Sequence, residues 1–160
     1  DMSIHDVDFL RWTLGEVEEV YARGGVLKHR DSNAYDYVHA ILRFKGGAIA
    51  YVEGSWVMPE TYPFSTYLEI AGTGGLLRVD NHETSALRVF RTEGTPEDYT
   101  PIVRDAYYLE LRTFVDCVLK DGEPPVPGEE ARRSLEVVLA AVKSIREGRP
   151  IRLPLRGEVL

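Results

Sequence analysis

Apolar and polar positions segregate at helical spacing from the first residues of the chain. At roughly 100° per residue, Ile4, Val7, Leu10 and Leu14 form one stripe, and Asp1, His5, Asp8 and Trp12 fall on the opposite face. The apolar stripe predicts a helix held on a core and stopped at Gly15. The period then changes to two. Val17 to Leu27 reads as a strand broken at Arg23-Gly24-Gly25, and a polar loop follows over 28–33. Tyr35 to Phe44 alternates, with Val38, Ala40, Leu42 and Phe44 on one face and Tyr37, His39, Ile41 and Arg43 on the other. Lys45-Gly46-Gly47 turns the chain into Ala48 to Trp56, which predicts a hairpin. Val57 to Phe64 carries Pro59 and Pro63 and reads as a loop. A second hairpin, Thr66 to Ala71 and Leu76 to Val79, is expected around Gly72-Thr73-Gly74-Gly75, with a further strand over 86–91 and a loop over 92–104.

Two amphipathic helices close the pattern. Tyr107, Leu111, Phe114, Val115 and Val118 line the first, which ends at Asp121-Gly122. Leu135, Val138, Leu139, Val142 and Ile145 line the second, which ends at Gly148 and Pro150. Ile151 to Leu153 adds a short edge strand, and residues 154–160 read as a polar tail. Strands between terminal helices predict an α+β fold: a mainly antiparallel, open-faced sheet with helices packed on one face. The other face is not polar, since Tyr37, Ile41, Ile49 and Tyr51 recur on it. A second copy of the chain is therefore expected to cover it, giving a homo-oligomer.

Composition narrows the function. A chain of 160 residues, 44% hydrophobic and 28% charged, fits one domain with its own core. A net charge of −7 argues against binding a phosphate backbone, so nucleic acid is not an expected partner. The one cysteine, Cys117, excludes an internal disulfide or a cysteine-rich zinc site and is expected to be a buried thiol. No apolar run approaches a membrane span, and the expected setting is cytoplasmic. The chain opens on Asp1 inside a helix entry, which suggests a piece of a longer protein.

The polar face of the first helix holds the candidate chemistry. An imidazole between carboxylates suits proton transfer to or from a polar substrate. The same three groups, Asp1, His5 and Asp8, also present a mixed nitrogen and oxygen donor set that would suit a divalent metal, though no further ligand is supplied by spacing. Acids at a helix start also serve capping and dipole alone. His39 is expected to hydrogen-bond locally, His29 and His82 to be exposed, and Trp56 to pack.

Several segments together resemble the C-terminal domain of the Gfo/Idh/MocA oxidoreductase family. They are Asp1-x-x-x-His5-Asp6-x-Asp8 with Leu10-Arg11-Trp12 and Gly15; Phe44-Lys45-Gly46-Gly47-Ala48 and Gly54-Ser55-Trp56; Leu68 through Gly75; Glu110-Leu111-x-x-Phe114-Val115-Asp116; and Ala140-x-x-x-Ser144 with Gly148-Arg149-Pro150. The resemblance covers residues 1–153 and implies a fold like the C-terminal domain of glyceraldehyde-3-phosphate dehydrogenase. It implies a parent of two domains, in which an N-terminal Rossmann domain, absent from this chain, binds NAD or NADP. This half would carry substrate and oligomer contacts for a sugar, cyclitol or other polyol dehydrogenase. By that likeness His5 is the acid/base, Asp1 orients substrate or histidine, Asp8 binds a substrate hydroxyl, and Tyr62 lines the pocket.

The family's dinucleotide fingerprint is missing, because Gly72-x-Gly74-Gly75 joins two strands instead of opening a helix. The isolated chain is accordingly expected to bind no cofactor and to be inactive. A non-catalytic ligand-binding or assembly module, or an NAD-assisted glycosidase, are the alternatives the sequence leaves open.

Overall fold

The computed structural model describes residues 3–83, 85, 87–99 and 105–156. The chain divides into two compact units, residues 1–58 with 123–160, and residues 59–122. The first unit holds α1 (Ser3–Leu14), β1 (Val17–Gly25), β2 (Tyr37–Phe44), β3 (Ile49–Ser55), and, after the second unit, a long helix Gly128–Glu147 and a short strand Ile151–Arg152. The second unit holds β4 (Tyr67–Gly72), β5 (Gly75–Asp80), β6 (Leu87–Arg91), β7 (Glu97–Tyr99) and α2 (Ala106–Lys120). In chain order the long helix is α3 and the last strand β8.

The α+β class expected from sequence holds, with the strands distributed over two antiparallel sheets, β3-β2-β1-β8 and β4-β5-β6-β7. The loop expected over 92–104 contains β7, a strand of only three residues. It is held by pairing to β6 and by the ion pairs Arg88–Asp98 at 2.7 Å and Arg91–Glu97 at 2.8 Å, which no hydrophobic period announces. Residues 84, 86 and 100–104 lie outside the described residues.

The core of the first unit lies between its sheet and the helices α1 and α3. Val20, Ala22, Ala40, Leu42, Phe44 and Val52 from the strands meet Val7 and Leu10 of α1 and Val137 and Ala140 of α3. Gly15, at φ 89°, lets α1 end and donates its N–H to the Arg11 carbonyl at 2.9 Å. The apolar stripe of α3 is rotated from the one expected. Ser134, Val137, Ala140 and Ser144 are buried, while Leu135 is 45% exposed. Small residues bring α3 close to the sheet, and two serines use that closeness. Val20 pairs with Ile151, so in the antiparallel register Ala22 stands opposite Arg149, where β8 has ended. Ser144 bridges the gap: its Oγ accepts the Ala22 N–H at 2.9 Å and donates to the Arg149 carbonyl at 2.7 Å. Gly148, left-handed at φ 71°, caps the helix just before. Leu155, placed in the tail by sequence, continues this order, its N–H donating to Glu136 at 2.7 Å.

The expectation that both closing helices bury an apolar stripe is corrected for α2. It belongs to the second unit and none of its residues is buried, so the helical layer over the first sheet is made by α1 and α3. Cys117, on α2, is half-buried, and Trp56, expected to pack, is 53% exposed.

The far face of the first sheet is laid out in rows. Tyr21, Ile41 and Tyr51 lie side by side across three strands, with Glu19, Arg43 and Ile49 in one neighbouring row and Arg23, His39 and Glu53 in the other. Ile49 is 71% exposed and Tyr51 59%. His39 hydrogen-bonds through Nδ1 to the Tyr51 hydroxyl, which in turn reaches Glu53 at 3.0 Å.

Candidate active site

The start of α1 passes close over β3. A side chain at Gly54 would collide with the Ser3 hydroxyl, so the glycine allows this approach. Helical periodicity then decides what faces out. His5 and Asp6 are exposed, Asp8 is half-buried, and Phe9 and Trp12 meet edge to face at 5.8 Å with Trp12 80% exposed. His5 and Asp8 are three residues apart, which places their Cβ atoms about 5–6 Å from each other on one helix face. Asp1 lies outside the described residues.

Asp8 is the better anchored of the two. The Ser134 hydroxyl donates to Asp8 Oδ1 at 2.6 Å, and Ser134 Oγ in turn accepts from Arg11 Nη1 at 2.9 Å. Arg11 is 6% exposed at the seam of α1 and α3. It also donates to the Glu130 carbonyl at 3.0 Å, to Glu16 Oε1 at 2.8 Å and to Glu130 Oε2 at 3.0 Å. Burial pushes the Glu16 carboxyl up, but the hydrogen bond and charge of Arg11, with the charges of Arg133 and Lys45, outweigh it and hold it below the ordinary value. Beside His5, the Asp6 carboxyl is pushed up by the surrounding chain, an effect partly offset by the histidine's charge.

Sequence reading missed Arg11 and Ser134. Their signal is present in hindsight: an arginine one turn beyond Val7 on the apolar side of a helix, and a serine on the inner stripe of α3 four residues after Glu130. Asp36 was missed as well. It is 5% exposed and accepts backbone N–H groups from Leu27, Lys28 and His29, each at 2.8 Å, which fixes the loop after β1.

Tyr62 stands on the second unit, half-exposed, its N–H donating to the Pro59 carbonyl at 2.8 Å and its ring 6.1 Å from His82. Among the described residues no group of three or more His, Cys, Asp or Glu is placed to hold a metal ion. The glycines at 72–75 serve a hairpin. Gly75 has φ 139°, and a Cβ there would run into the Phe90 carbonyl oxygen on β6, so strand packing requires the glycine. A turn between two strands presents no helix N-terminus to a pyrophosphate, so this glycine run is not a dinucleotide fingerprint.

Residues 1–78 match the family model of the GFO/IDH/MocA C-terminal domain. The chain belongs to the Gfo/Idh/MocA family. It is 34% identical to the myo-inositol 2-dehydrogenase of Thermotoga maritima, over 96% of this chain and 48% of that protein. It is 31% identical to the scyllo-inositol 2-dehydrogenase (NAD(+)) of Bacillus subtilis, over 98% and 47% respectively. Among solved structures, the WlbA dehydrogenase of Bordetella pertussis, crystallised with NADH and UDP-GlcNAcA, superposes with a TM-score of 0.79 at 28% identity, covering 98% of this chain and 45% of that one. This Gfo/Idh/MocA domain thus spans about half the length of the curated relatives it matches. Among its described residues, no helix is long and apolar enough to cross a membrane.

Proposed function

We propose that this chain, through residue 153, is the substrate-binding and oligomerising half of an NAD(P)-dependent oxidoreductase that acts on a hydroxyl of a cyclitol, sugar or related polyol. The observation that carries the reading is an exposed imidazole, His5, one helical turn from a carboxylate that is held in place, Asp8. Kinship with two inositol dehydrogenases supplies the substrate class. In this reading the substrate hydroxyl gives its proton to His5 as its carbon gives up a hydride, and Asp8 accepts a hydrogen bond from a neighbouring hydroxyl. Asp1 orients the histidine or substrate. The hydride acceptor, a nicotinamide of NAD or NADP, belongs to the polypeptide outside this chain.

The open face of the first sheet supports the oligomer. Its central row, Tyr21, Ile41 and Tyr51, is apolar and aromatic, and charged rows flank it, the layout of an interface core with a polar rim. A second copy is the occupant proposed.

The test is His5→Asn in the full-length protein, with NAD+ or NADP+ reduction followed against myo-inositol and scyllo-inositol. Turnover should fall at least about a hundredfold, the usual worth of a general base, with dinucleotide affinity unchanged. Undiminished turnover would reject His5 as the base.

A further inference from the structure

The hydrogen bonds at the seam of α1 and α3 run in one direction. Arg11 can only donate. Ser134 Oγ receives that donation at 2.9 Å, so its single O–H must point elsewhere, and the acceptor within reach is Asp8 Oδ1 at 2.6 Å. Ser134 is 1% exposed, which removes water as a competing partner for its hydroxyl. Arg11 is itself clamped by Glu16 and by both the side chain and the backbone of Glu130, so the origin of the chain cannot drift. One oxygen of Asp8 is thereby occupied, and Asp8 belongs to the same helix face as His5.

We infer that Ser134, anchored by Arg11, is a positioning residue: it orients the Asp8 carboxylate so that its second oxygen meets a substrate hydroxyl beside His5. This rests on the function proposed above and adds to it a residue 126 positions away in sequence, on α3. Supporting hydrogen bonds of this kind matter because a first-contact group left to rotate loses part of its binding geometry. The same seam would look purely structural if only stability were measured, so the readout has to separate the two roles.

The experiment is a double-mutant cycle in the full-length protein with NAD+ and myo-inositol, using Ser134→Ala, Asp8→Ala and the pair. Ser134→Ala should raise the KM for myo-inositol about tenfold, the scale of one hydrogen bond to a charged group, while kcat and the KM for NAD+ stay within about twofold. In the Asp8→Ala background the serine substitution should have no further effect on kcat/KM, because the group it orients is gone. Ser134→Cys, a similar volume with a weaker donor, should fall between serine and alanine and guards against an alanine variant that folds poorly. An Asp8→Ala loss with no change of KM in Ser134→Ala, or a serine effect that persists undiminished without Asp8, overturns the inference alone. Wild-type protein that oxidises no polyol, or an Asp8→Ala variant with unchanged kcat/KM, overturns the assignment of Asp8 in the proposed function and this inference with it.

Discussion

Ser144→Ala removes a single oxygen from a position with no solvent exposure. That oxygen completes the seam where β1 outruns β8, taking the Ala22 N–H at 2.9 Å and donating to the Arg149 carbonyl at 2.7 Å. The alanine variant leaves the buried Ala22 amide without an acceptor, which costs about 1–3 kcal/mol. Arg149 is exposed, so water recovers most of the loss at its carbonyl and that bond adds less than about 1 kcal/mol. The space vacated is that of a single oxygen, so the cavity contribution is small. The sum, about 1–4 kcal/mol, is a sizeable part of the roughly 5–15 kcal/mol that holds an ordinary domain together. With a urea dependence of about 2 kcal/mol per molar, the unfolding midpoint should fall by about 0.5–2 M. Amide exchange at Ala22 should accelerate more than at Leu42 in the neighbouring strand. A midpoint shift under about 0.2 M, with Ala22 as protected as in the wild type, would show that the hydroxyl does not carry this junction.

Two further outcomes follow from other parts of the first unit. Burial alone would raise the Asp36 carboxyl, but the amides of His29, Leu27 and Lys28 outweigh it and bring it from the ordinary 3.8 down to about 2. A carboxyl that holds its proton less tightly in the folded state stabilises the loop fully above about pH 4 and loses that contribution as pH falls through about 2. The amide resonances of Leu27, Lys28 and His29 should titrate together with that low midpoint and stop doing so in Asp36→Asn; a midpoint near the ordinary value would contradict the bonding. Ile41→Lys, on the open sheet face where Ile41 is 50% exposed, should leave the fold intact and reduce the mass measured by light scattering. An unchanged mass would reject this sheet face as a contact between copies.

Periodicity was a good guide wherever one face of an element is buried by its own neighbours. The strands from β1 to β6, the hairpin at Lys45-Gly46-Gly47 and the extents of all three helices follow from alternation, glycine turns and left-handed caps, which are local. So does the placement of His5, Asp8 and Trp12 away from Val7 and Leu10. β7 was not legible, because three polar residues carry no period and are held by partners on the next strand. The stripe of α3 was misjudged for a related reason: hydrophobicity marks its large residues, whereas closeness to the sheet selects the small ones, Ser134, Ala140 and Ser144.

What the chain by itself determined, then, is the class of fold, the order of its elements and the helix that bears the candidate chemistry, since these depend on neighbours a few residues away. Tertiary structure alone decided that Arg11 would be buried, that Ser134 would lie between it and Asp8, and that Ser144 would continue the ladder of β1. Each of these joins residues more than a hundred positions apart. A polar side chain's partner is chosen by distance in space to within a few tenths of an ångström, and no one-dimensional pattern encodes that distance.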